Sequence, residues 1–267
     1  MPDEPTGPSR TAVPVPPAEL VESDHARRIE ILPIVGIGEV VPGDEIAELV
    51  LEVAGPDRAR AGNPTLTDGD VVVVTQKIVS KAENRVVPVD PDDPRSHLPL
   101  VLDESTRVLR RRGDLIIAET RHGFVCANAG VDRSNLRAGT AALLPVDPDR
   151  SAHRIREALR RLAGLEVAVI VSDTFGRAWR RGLCDVALGC SGIGAIADLR
   201  GTADAYGQEL HVTEVCVADE IASAAELVMG KSSGIPVAVV RGVDPSWFRE
   251  SSVKAEVVRP AGEDLFR

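Results

Sequence analysis

The sequence of 267 residues is poor in aromatic residues, with four Phe, two Trp and one Tyr. Proteins that stack nucleic-acid bases on aromatic side chains need more such surfaces. Positive charge is also in deficit, because 31 Lys and Arg face 41 Asp and Glu and give a formal net charge of −10. A general nucleic-acid binder needs a basic surface over many phosphates, so both shortages exclude that partner. They leave a small anionic substrate open, since net charge describes the whole surface and not a pocket.

Cysteine is scarce as well. The four cysteines, Cys126, Cys184, Cys190 and Cys216, form no Cys-x-x-Cys pair and fit no zinc-site spacing. We therefore expect them to be scattered small buried residues of a protein in a reducing compartment. No apolar run reaches the ~18 residues that a membrane-spanning helix needs, and the first residues lack the basic and apolar regions of a signal peptide. The sequence therefore predicts a cytoplasmic protein without a membrane partner.

The N-terminus is rich in proline, with six prolines among the first 18 residues. We predict a disordered tail over residues 1–28, because this proline density prevents packing. A proline-rich motif for a protein partner is the alternative. One domain is predicted over residues 29–250, followed by a C-terminal tail over 251–267.

Hydrophobic periodicity indicates a mixture of strands and helices. The predicted strands cover residues 31–35, 70–75, 114–120, 123–131, 167–171, 211–217 and 236–240. The predicted helices cover residues 44–54, 98–111, 151–163 and 219–229. Ser151 is expected to cap the third helix and Gly164 to end it. The order fits α+β or α/β, and the hairpin-like spacing favours α+β.

Two glycine-containing segments imitate nucleotide-binding motifs. Gly230-Lys231-Ser232 ends like a phosphate-binding P-loop, but Ala225 stands where the motif needs an earlier glycine, and a predicted helix precedes the segment. Gly192-Ile193-Gly194 imitates a dinucleotide fingerprint, but residues 188–191 make a poor preceding strand. We therefore reject both motifs.

A first polar segment, residues 76–83, directly follows the Val71–Val74 run. The end of a buried strand is where α/β proteins tend to bind ligands, and Lys77 and Lys81 suit phosphate groups as point charges. A solvated helix face, with Lys81 paired to an acid, explains the segment equally well.

A second segment, residues 128–135, follows another apolar strand. Asp132 is a hard oxygen ligand that suits Mg²⁺ or Mn²⁺, and the Asn135 amide can bind a nucleotide or a sugar. An Asx-type turn is the alternative explanation.

The third segment, residues 172–182, places Asp173 at a strand end, where a metal ligand is easily preorganised. Arg177, Arg180 and Arg181 follow it and would form a fork for phosphate or carboxylate if this stretch were helical. An acid beside such basic density suggests a metal–phosphate site, and a surface ion network is the alternative.

Six ordered blocks carry a resemblance to a known family. They are Ser80-Lys81-Ala82-Glu83, residues 128–135, residues 173–177, Arg180-Arg181-Gly182, Tyr206-Gly207-Gln208-Glu209-Leu210 and Val217-Ala218-Asp219-Glu220-Ile221. From about Glu30 to Gly242 the chain resembles the γ-glutamyl ligase family that adds glutamate to coenzyme F420, a deazaflavin.

The resemblance implies a GTP-dependent ligase with a divalent metal, Mg²⁺ or Mn²⁺, and with K⁺ as a further candidate cation. It also implies an α+β homodimer of intertwined, two-lobed subunits. Asp132, Asp173 and Thr174 match metal-binding positions of the family. The positions that match its GTP contacts are Ile37, Gly38, Glu39, Val40, Gln76, Lys77, Lys81, Asn135, Met229, Gly230, Lys231 and Ser232.

Two departures from the family pattern stand out. Lys231 occupies a position where archaeal members carry a metal-binding Glu, and a protonated lysine cannot ligate Mg²⁺. The second metal is then held by fewer protein groups, or Lys231 takes over part of its charge. The nitroreductase-like domain fused to the C-terminus of many actinobacterial relatives is not expected after Arg267.

The implied reaction forms an amide between L-glutamate and the deazaflavin substrate through an acyl phosphate. Asp173, Arg177, Arg180 and Arg181 are the expected catalytic residues, and the sequence does not divide the anions among the three arginines. A GTP-dependent ligase for another carboxylate acceptor and an inactive GTP-binding regulatory subunit are the alternatives.

Overall fold

A computed structural model of the chain describes residues 27–264. The predicted N-terminal tail, as far as residue 26, and the last three residues of the predicted C-terminal tail lie outside the described residues. Within residues 27–264 no helix is long and apolar enough to cross a membrane.

The described chain combines strands and helices, with two runs of four strands that no α-helix interrupts. The strands are β1 (Glu30–Ile34), β2 (Val71–Thr75), β3 (Val86–Pro88), β4 (Ser105–Arg112), β5 (Leu115–Thr120), β6 (Val125–Ala127), β7 (Thr140–Ala142), β8 (Ala168–Arg177), β9 (Arg180–Ser191), β10 (Ala197–Asp198), β11 (Glu214–Val215) and β12 (Val237–Arg241). The helices are α1 (Ile46–Ala54), α2 (Gln76–Ala82), α3 (Leu98–Asp103), α4 (Pro148–Ala163), α5 (Val217–Met229) and α6 (Val253–Glu256). The mixed α/β class is confirmed.

A five-stranded sheet in the order β1-β12-β2-β8-β9 forms the centre. β2 and β8 pair in parallel, and the other neighbours in this sheet are antiparallel. Successive side chains of a strand point to opposite faces. Val72 and Val74 therefore pack with α1 and α4 in one core, and Val71 and Val73 pack with α5 in the other. Burial on both faces explains the uninterrupted valine run of β2.

A smaller three-stranded sheet, β4-β5-β6, has a core of its own. Val101 of α3 packs there with Ile116 and Ala118 of β5 and with Val131, which directly precedes Asp132 in the second polar segment. This core therefore anchors the second polar segment. The cysteines are four free thiols, of which Cys126 and Cys190 are buried.

Six of the eleven predicted elements are confirmed to within two residues at both ends. The strand predicted over residues 167–171 continues to Arg177 in β8, and the predicted helix over residues 98–111 is wrong in its second half. The helix ends at Asp103, and Ser105–Arg112 form β4, which pairs antiparallel with β5. The apolar spacing of this stretch is helical, but pairing with a neighbouring strand outweighs a local preference of this kind.

Three strand predictions also need correction. The predicted strand over residues 211–217 is reduced to Glu214–Val215, because α5 already begins at Val217. The predicted strand over residues 123–131 ends at Ala127, where a 3₁₀ turn follows. Residues 188–191 belong to β9, although we expected them to form a poor strand, but no regular element follows Gly192 directly.

Ser151 does not cap α4. The helix begins at Pro148, and the side chain of Asp147 accepts a hydrogen bond from the Arg150 N–H at 3.0 Å. Proline is well suited to the first helical position, since its missing N–H has no partner there. Gly164 ends the helix in the left-handed conformation, with φ 69°, as expected.

At Gly189 of β9 the backbone of the first turn of α4 packs against the sheet. A Cβ atom at this residue would lie 2.2 Å from the carbonyl carbon of Pro148 and 2.4 Å from the Asp149 nitrogen. These contacts are with backbone atoms, so no side chain can turn away to make room. Only glycine allows α4 to start where it does.

We expect Gly189→Ala to lower the free energy of unfolding by about 1–3 kcal/mol or more, because the added methyl overpacks a backbone contact. Urea denaturation measures the change. Gly262→Ala is the matched control, since a Cβ there meets no atom within 4 Å. Equal stability of the two variants would show that α4 shifts without cost.

Candidate functional site

The parallel pairing of β2 and β8 brings two of the predicted polar segments together. Thr75 and Ser172 are opposite each other at the end of the pairing. The chain after Thr75 enters α2 at once, and β8 continues into Asp173 and Thr174. Parallel strands present their carboxyl ends at the same sheet edge, which is the common place for a ligand site in α/β proteins.

A cavity of about 430 Å³ opens at this edge. Its lining includes eleven predicted site residues: Ile37, Gly38, Glu39, Lys77, Lys81, Asn135, Asp173, Thr174, Gly230, Lys231 and Ser232. The chain contains only four lysines, and three of them lie here. An acidic protein has thus concentrated its ammonium groups at one cavity, as binding of a multiply charged anion requires.

Lys77, which lines the cavity, forms an ion pair with Asp132, which lies outside the lining. The Lys77 Nζ donates to Asp132 Oδ2 at 2.5 Å, to the Ser134 carbonyl at 2.6 Å and to the Ser134 hydroxyl at 3.1 Å. Burial alone would raise the pKa of Asp132, but the bonds from Lys77 and Ser134 hold that pKa below its ordinary value. Asp132 therefore stays ionised. A phosphate that binds Lys77 must displace one of three acceptors, since an ammonium has three donors.

Lys81 is paired to an acid, which is what the alternative explanation of residues 76–83, a solvated helix face, predicted. Its Nζ donates to Glu39 Oε1 at 2.8 Å. Glu39 belongs to the loop after β1 that the resemblance assigns to GTP binding, and both residues line the cavity. The ion pair ties this loop to α2 beside the cavity, so pairing and a place at the site are compatible.

Asp173 lies next to a second carboxylate, Asp185, which sequence reasoning missed. Asp185 is 2% exposed, and its carboxylate accepts hydrogen bonds from Ser172 Oγ at 3.0 Å and Thr174 Oγ1 at 2.6 Å. The signal in the sequence is weak, a lone acid at the start of the apolar residues 186–190. Its meaning appears only when the register of the β8–β9 hairpin places Asp185 opposite Thr174.

Burial raises the pKa of Asp173 to about 7. The Thr174 N–H and the positive charge of Lys231 lower this pKa, whereas the charges of Asp132 and Asp185 raise it. Burial is thus the main cause of the raised pKa, and the two neighbouring carboxylates add to it. An added cation at this position would be stabilised by the surrounding oxygens.

The end of α5 forms the opposite wall of the cavity. Asn135 Nδ2 donates to the Lys231 carbonyl at 3.0 Å and so joins two segments that are far apart in sequence. Glu226, another residue that sequence reasoning missed, lines the same wall, and burial and Asp185 raise its pKa. Gly230 follows α5, so rejection of the P-loop motif is confirmed.

Several predicted site residues lie away from the cavity lining. Val40 and Met229 are buried in the two cores, and the Gln76 side chain is buried with its Oε1 accepting from the Ser80 hydroxyl. Arg177, Arg180 and Arg181 are exposed around the β8–β9 turn. The helical fork of arginines is wrong, because residues 177 and 180 pair across a hairpin. Their roles stay predictions.

The donor set fits a divalent cation only in part. Asp132, Asp173 and the Thr174 hydroxyl supply the hard oxygens that Mg²⁺ prefers. Among residues 27–264, however, no three His, Cys, Asp or Glu side chains are grouped closely enough to hold a metal ion. A cation here would need phosphate or water oxygens as well, which is the usual arrangement for Mg²⁺ at nucleotide sites.

Comparisons with known proteins identify the family of the chain. A family model described as F420-0:Gamma-glutamyl ligase matches residues 35–242. The chain is 39% identical over 254 residues to the Coenzyme F420:L-glutamate ligase of Methanothermobacter thermautotrophicus, covering 90% of this chain and 99% of that protein. It is 41% identical over 257 residues to the enzyme of the same name from Methanopyrus kandleri, covering 90% and 97%. A third, from Methanocaldococcus jannaschii, is 39% identical over 217 residues, covering 76% and 86%.

Asp173→Asn should raise stability at neutral pH. The pKa of Asp173 is about 7 in the fold against 3.8 ordinarily, so the folded state binds a proton more tightly and wild-type stability falls as pH rises from about 4 to about 7. The asparagine variant does not lose this stability, because its side chain does not titrate. One pKa unit corresponds to about 1.4 kcal/mol, so we expect the variant to gain about 1 kcal/mol or more relative to wild type across this range.

Urea unfolding in a chelator, at several pH values, measures the difference. Asp57→Asn, at an exposed acid in the turn after α1, is the control and should follow the wild-type pH dependence. A difference between Asp173→Asn and wild type that is independent of pH would contradict the raised pKa.

Proposed function

We propose a GTP-dependent reaction for this chain, which belongs to the F420-0:Gamma-glutamyl ligase family. It is a ligase that adds L-glutamate to F420-0 with consumption of GTP. The finding that carries the proposal is the cavity at the ends of β2 and β8, where Lys77, Lys81 and Lys231 meet Asp173. A site of this composition suits a nucleoside triphosphate and a divalent cation.

The chemical problem is to join a carboxylate to an amine. A free carboxylate does not react with an amine at neutral pH, because its oxygen is a poor leaving group. We propose that an oxygen of the acceptor carboxylate attacks the γ-phosphorus of GTP, that the bond to the bridging oxygen breaks and that GDP leaves. The glutamate nitrogen then attacks the carbon of the acyl phosphate, loses a proton and expels inorganic phosphate.

The lysines would balance the charge of the phosphate oxygens. Lys77 and Lys81 approach the cavity from α2, and Lys231 approaches it from the end of α5. Positioning of reactants and stabilisation of charge account for most catalysis in phosphoryl transfer. Lys77 has the further effect of holding the Asp132 carboxylate ionised.

Asp132, Asp173 and Thr174 would hold Mg²⁺ or Mn²⁺, with K⁺ as a further candidate cation. When bound, a divalent cation draws negative charge from the phosphate oxygens. Asp185 supports this arrangement from behind, because its carboxylate orients the Thr174 hydroxyl at 2.6 Å. Arg177, Arg180 and Arg181 are proposed to meet the acyl phosphate, the glutamate carboxylates or the phosphodiester of the deazaflavin.

We also propose a homodimer of intertwined, two-lobed subunits, as the family resemblance implies. The β4-β5-β6 sheet with its separate core is the candidate for the smaller lobe. The predicted domain over residues 29–250 and a cytoplasmic location accompany this proposal.

Incubation of the protein with GTP, Mn²⁺, L-glutamate and F420-0 tests the function. A mass gain of one glutamate together with GDP supports the ligase. GDP without this product contradicts the deazaflavin acceptor and indicates another carboxylate, and nucleotide binding without GDP indicates the regulatory alternative.

Asp173→Asn should reduce GTP-dependent product formation at least a hundredfold, because it removes the central carboxylate of the cavity. Circular dichroism and thermal unfolding check that the fold is retained. Asp57→Asn serves as the control and should keep wild-type activity. Full activity of Asp173→Asn in the presence of metal would exclude the metal-binding role.

Lys231→Glu should change the metal dependence, because it replaces a positive charge near Asp173 and Glu226 with an oxygen ligand. We expect a several-fold shift in the Mn²⁺ concentration that gives half-maximal activity. Lys254→Glu on α6, the fourth lysine of the chain, is the control. An unchanged metal titration would place Lys231 outside the reacting region.

A further inference from the structure

A second, smaller pocket lies beside the β8–β9 hairpin. Its volume is about 290 Å³. Phe175, Val186 and Ala187 of the hairpin form one wall, and Phe124 and Val125 at the start of β6 form another. Residues 257–259 after α6 also line it, together with Gly123, Asp219 and Asp264. None of the functional residues considered so far lines this pocket.

Two of the four phenylalanines of the chain meet here. The rings of Phe124 and Phe175 make an edge contact, with centroids 6.2 Å apart and an interplanar angle of 72°. His122 stacks on Phe124 at 5.7 Å. Aromatic rings held in this way bind flat conjugated rings well. Aromatic residues make up only 3% of the chain, so two of them at one pocket mark it as a candidate site for such a ring.

The register of the hairpin connects this pocket to the proposed reaction site. Val186, which lines the pocket, is the cross-strand partner of Asp173, which lines the main cavity. Phe175 lies two positions beyond Asp173 on β8, and alternate residues share a face, about 7 Å apart. A ligand in the pocket can therefore extend along this face of the hairpin to Asp173.

The polar groups of the pocket suit the edge and the tail of such a ligand. Asp219 lines the wall, and its carboxylate is held in place by the Ala187 N–H at 2.9 Å. A carboxylate at this position can accept from the N–H of a flavin-type pyrimidinedione ring. Arg259, at an exposed position of the lining, adds a positive charge that suits a phosphodiester.

We propose that this pocket binds the flat deazaflavin ring of the acceptor, so that its phosphodiester-containing tail leads along Phe175 towards Asp173. The proposal rests on the proposed function. The pocket volume is slightly below that of typical ligand sites, which begin at about 300 Å³. It therefore takes the ring and leaves the tail outside, which is the arrangement that a reacting terminal carboxylate requires.

Val125→Trp tests the proposal by filling the mouth of the pocket. We expect the KM for the deazaflavin substrate to rise at least tenfold, with the KM values for GTP and L-glutamate unchanged within twofold. Val108→Trp is the matched control, because Val108 lies in the same small sheet and is 43% exposed against 41% for Val125. It should leave all three KM values unchanged.

Phe175→Ala and Phe175→Tyr supply a second measurement. Fluorescence titration of the protein with the deazaflavin substrate, without GTP, should show at least tenfold weaker binding for Phe175→Ala and near wild-type binding for Phe175→Tyr. Loss of a stacking partner has an effect of this size. A merely structural role would weaken GTP binding as well.

The outcomes separate the two proposals. If the wild-type protein makes product and Val125→Trp keeps the wild-type KM for the deazaflavin, the pocket assignment alone is overturned. If Val125→Trp changes the molar mass measured by light scattering but not the KM for the deazaflavin, a second copy of the chain covers the pocket. This result also overturns the assignment. Wild-type protein that neither makes product nor binds the deazaflavin overturns the proposed function and the pocket together.

Discussion

The parallel pairing of β2 with β8 is the constraint on which the rest of the site depends. It brings two carboxyl ends to one sheet edge, and the chain leaves those ends in different ways. β2 turns directly into α2, which presents Lys77 and Lys81, whereas β8 continues as a hairpin strand that carries Asp173 and Thr174. A buried valine run with both faces covered holds the pair in register. Cations and carboxylates thus meet at fixed positions.

The balance of charge at this edge explains why an acidic protein can accommodate an anionic substrate. Three ammonium groups line the cavity with Asp173, Asp185 and Glu226, and one of them, Lys77, pairs with Asp132. The Lys77–Asp132 pair is satisfied within the protein, whereas burial, together with the charges of Asp132 and Asp185, raises the pKa of Asp173. A nucleotide and a cation would complete the balance together, since each brings the charge that the other needs. The net charge of −10 is a property of the whole chain and does not reveal that three of its four lysines gather at this cavity.

Much of the fold could be predicted from local patterns. The valine run of β2 and the helix stop at Gly164 each depend on neighbouring residues, and both are confirmed. β4 could not be predicted, because its helical spacing is overridden by pairing with β5. Sequence reasoning identified the cavity-lining residues that lie at or after the end of a strand, such as Lys77 and Asp173. Asp185 and Glu226 were missed because their place at the cavity depends on the hairpin register and on the packing of α5.

A crystal structure with a non-hydrolysable GTP analogue and Mn²⁺ tests the central claim most directly. The anomalous scattering of Mn²⁺ locates the cation independently of the nucleotide. We predict a manganese peak beside Asp173 and Thr174, with the γ-phosphate between the carboxyl ends of β2 and β8 and within hydrogen-bond distance of Lys77 or Lys81. A nucleotide bound elsewhere on the chain, or manganese away from Asp173, would contradict the account.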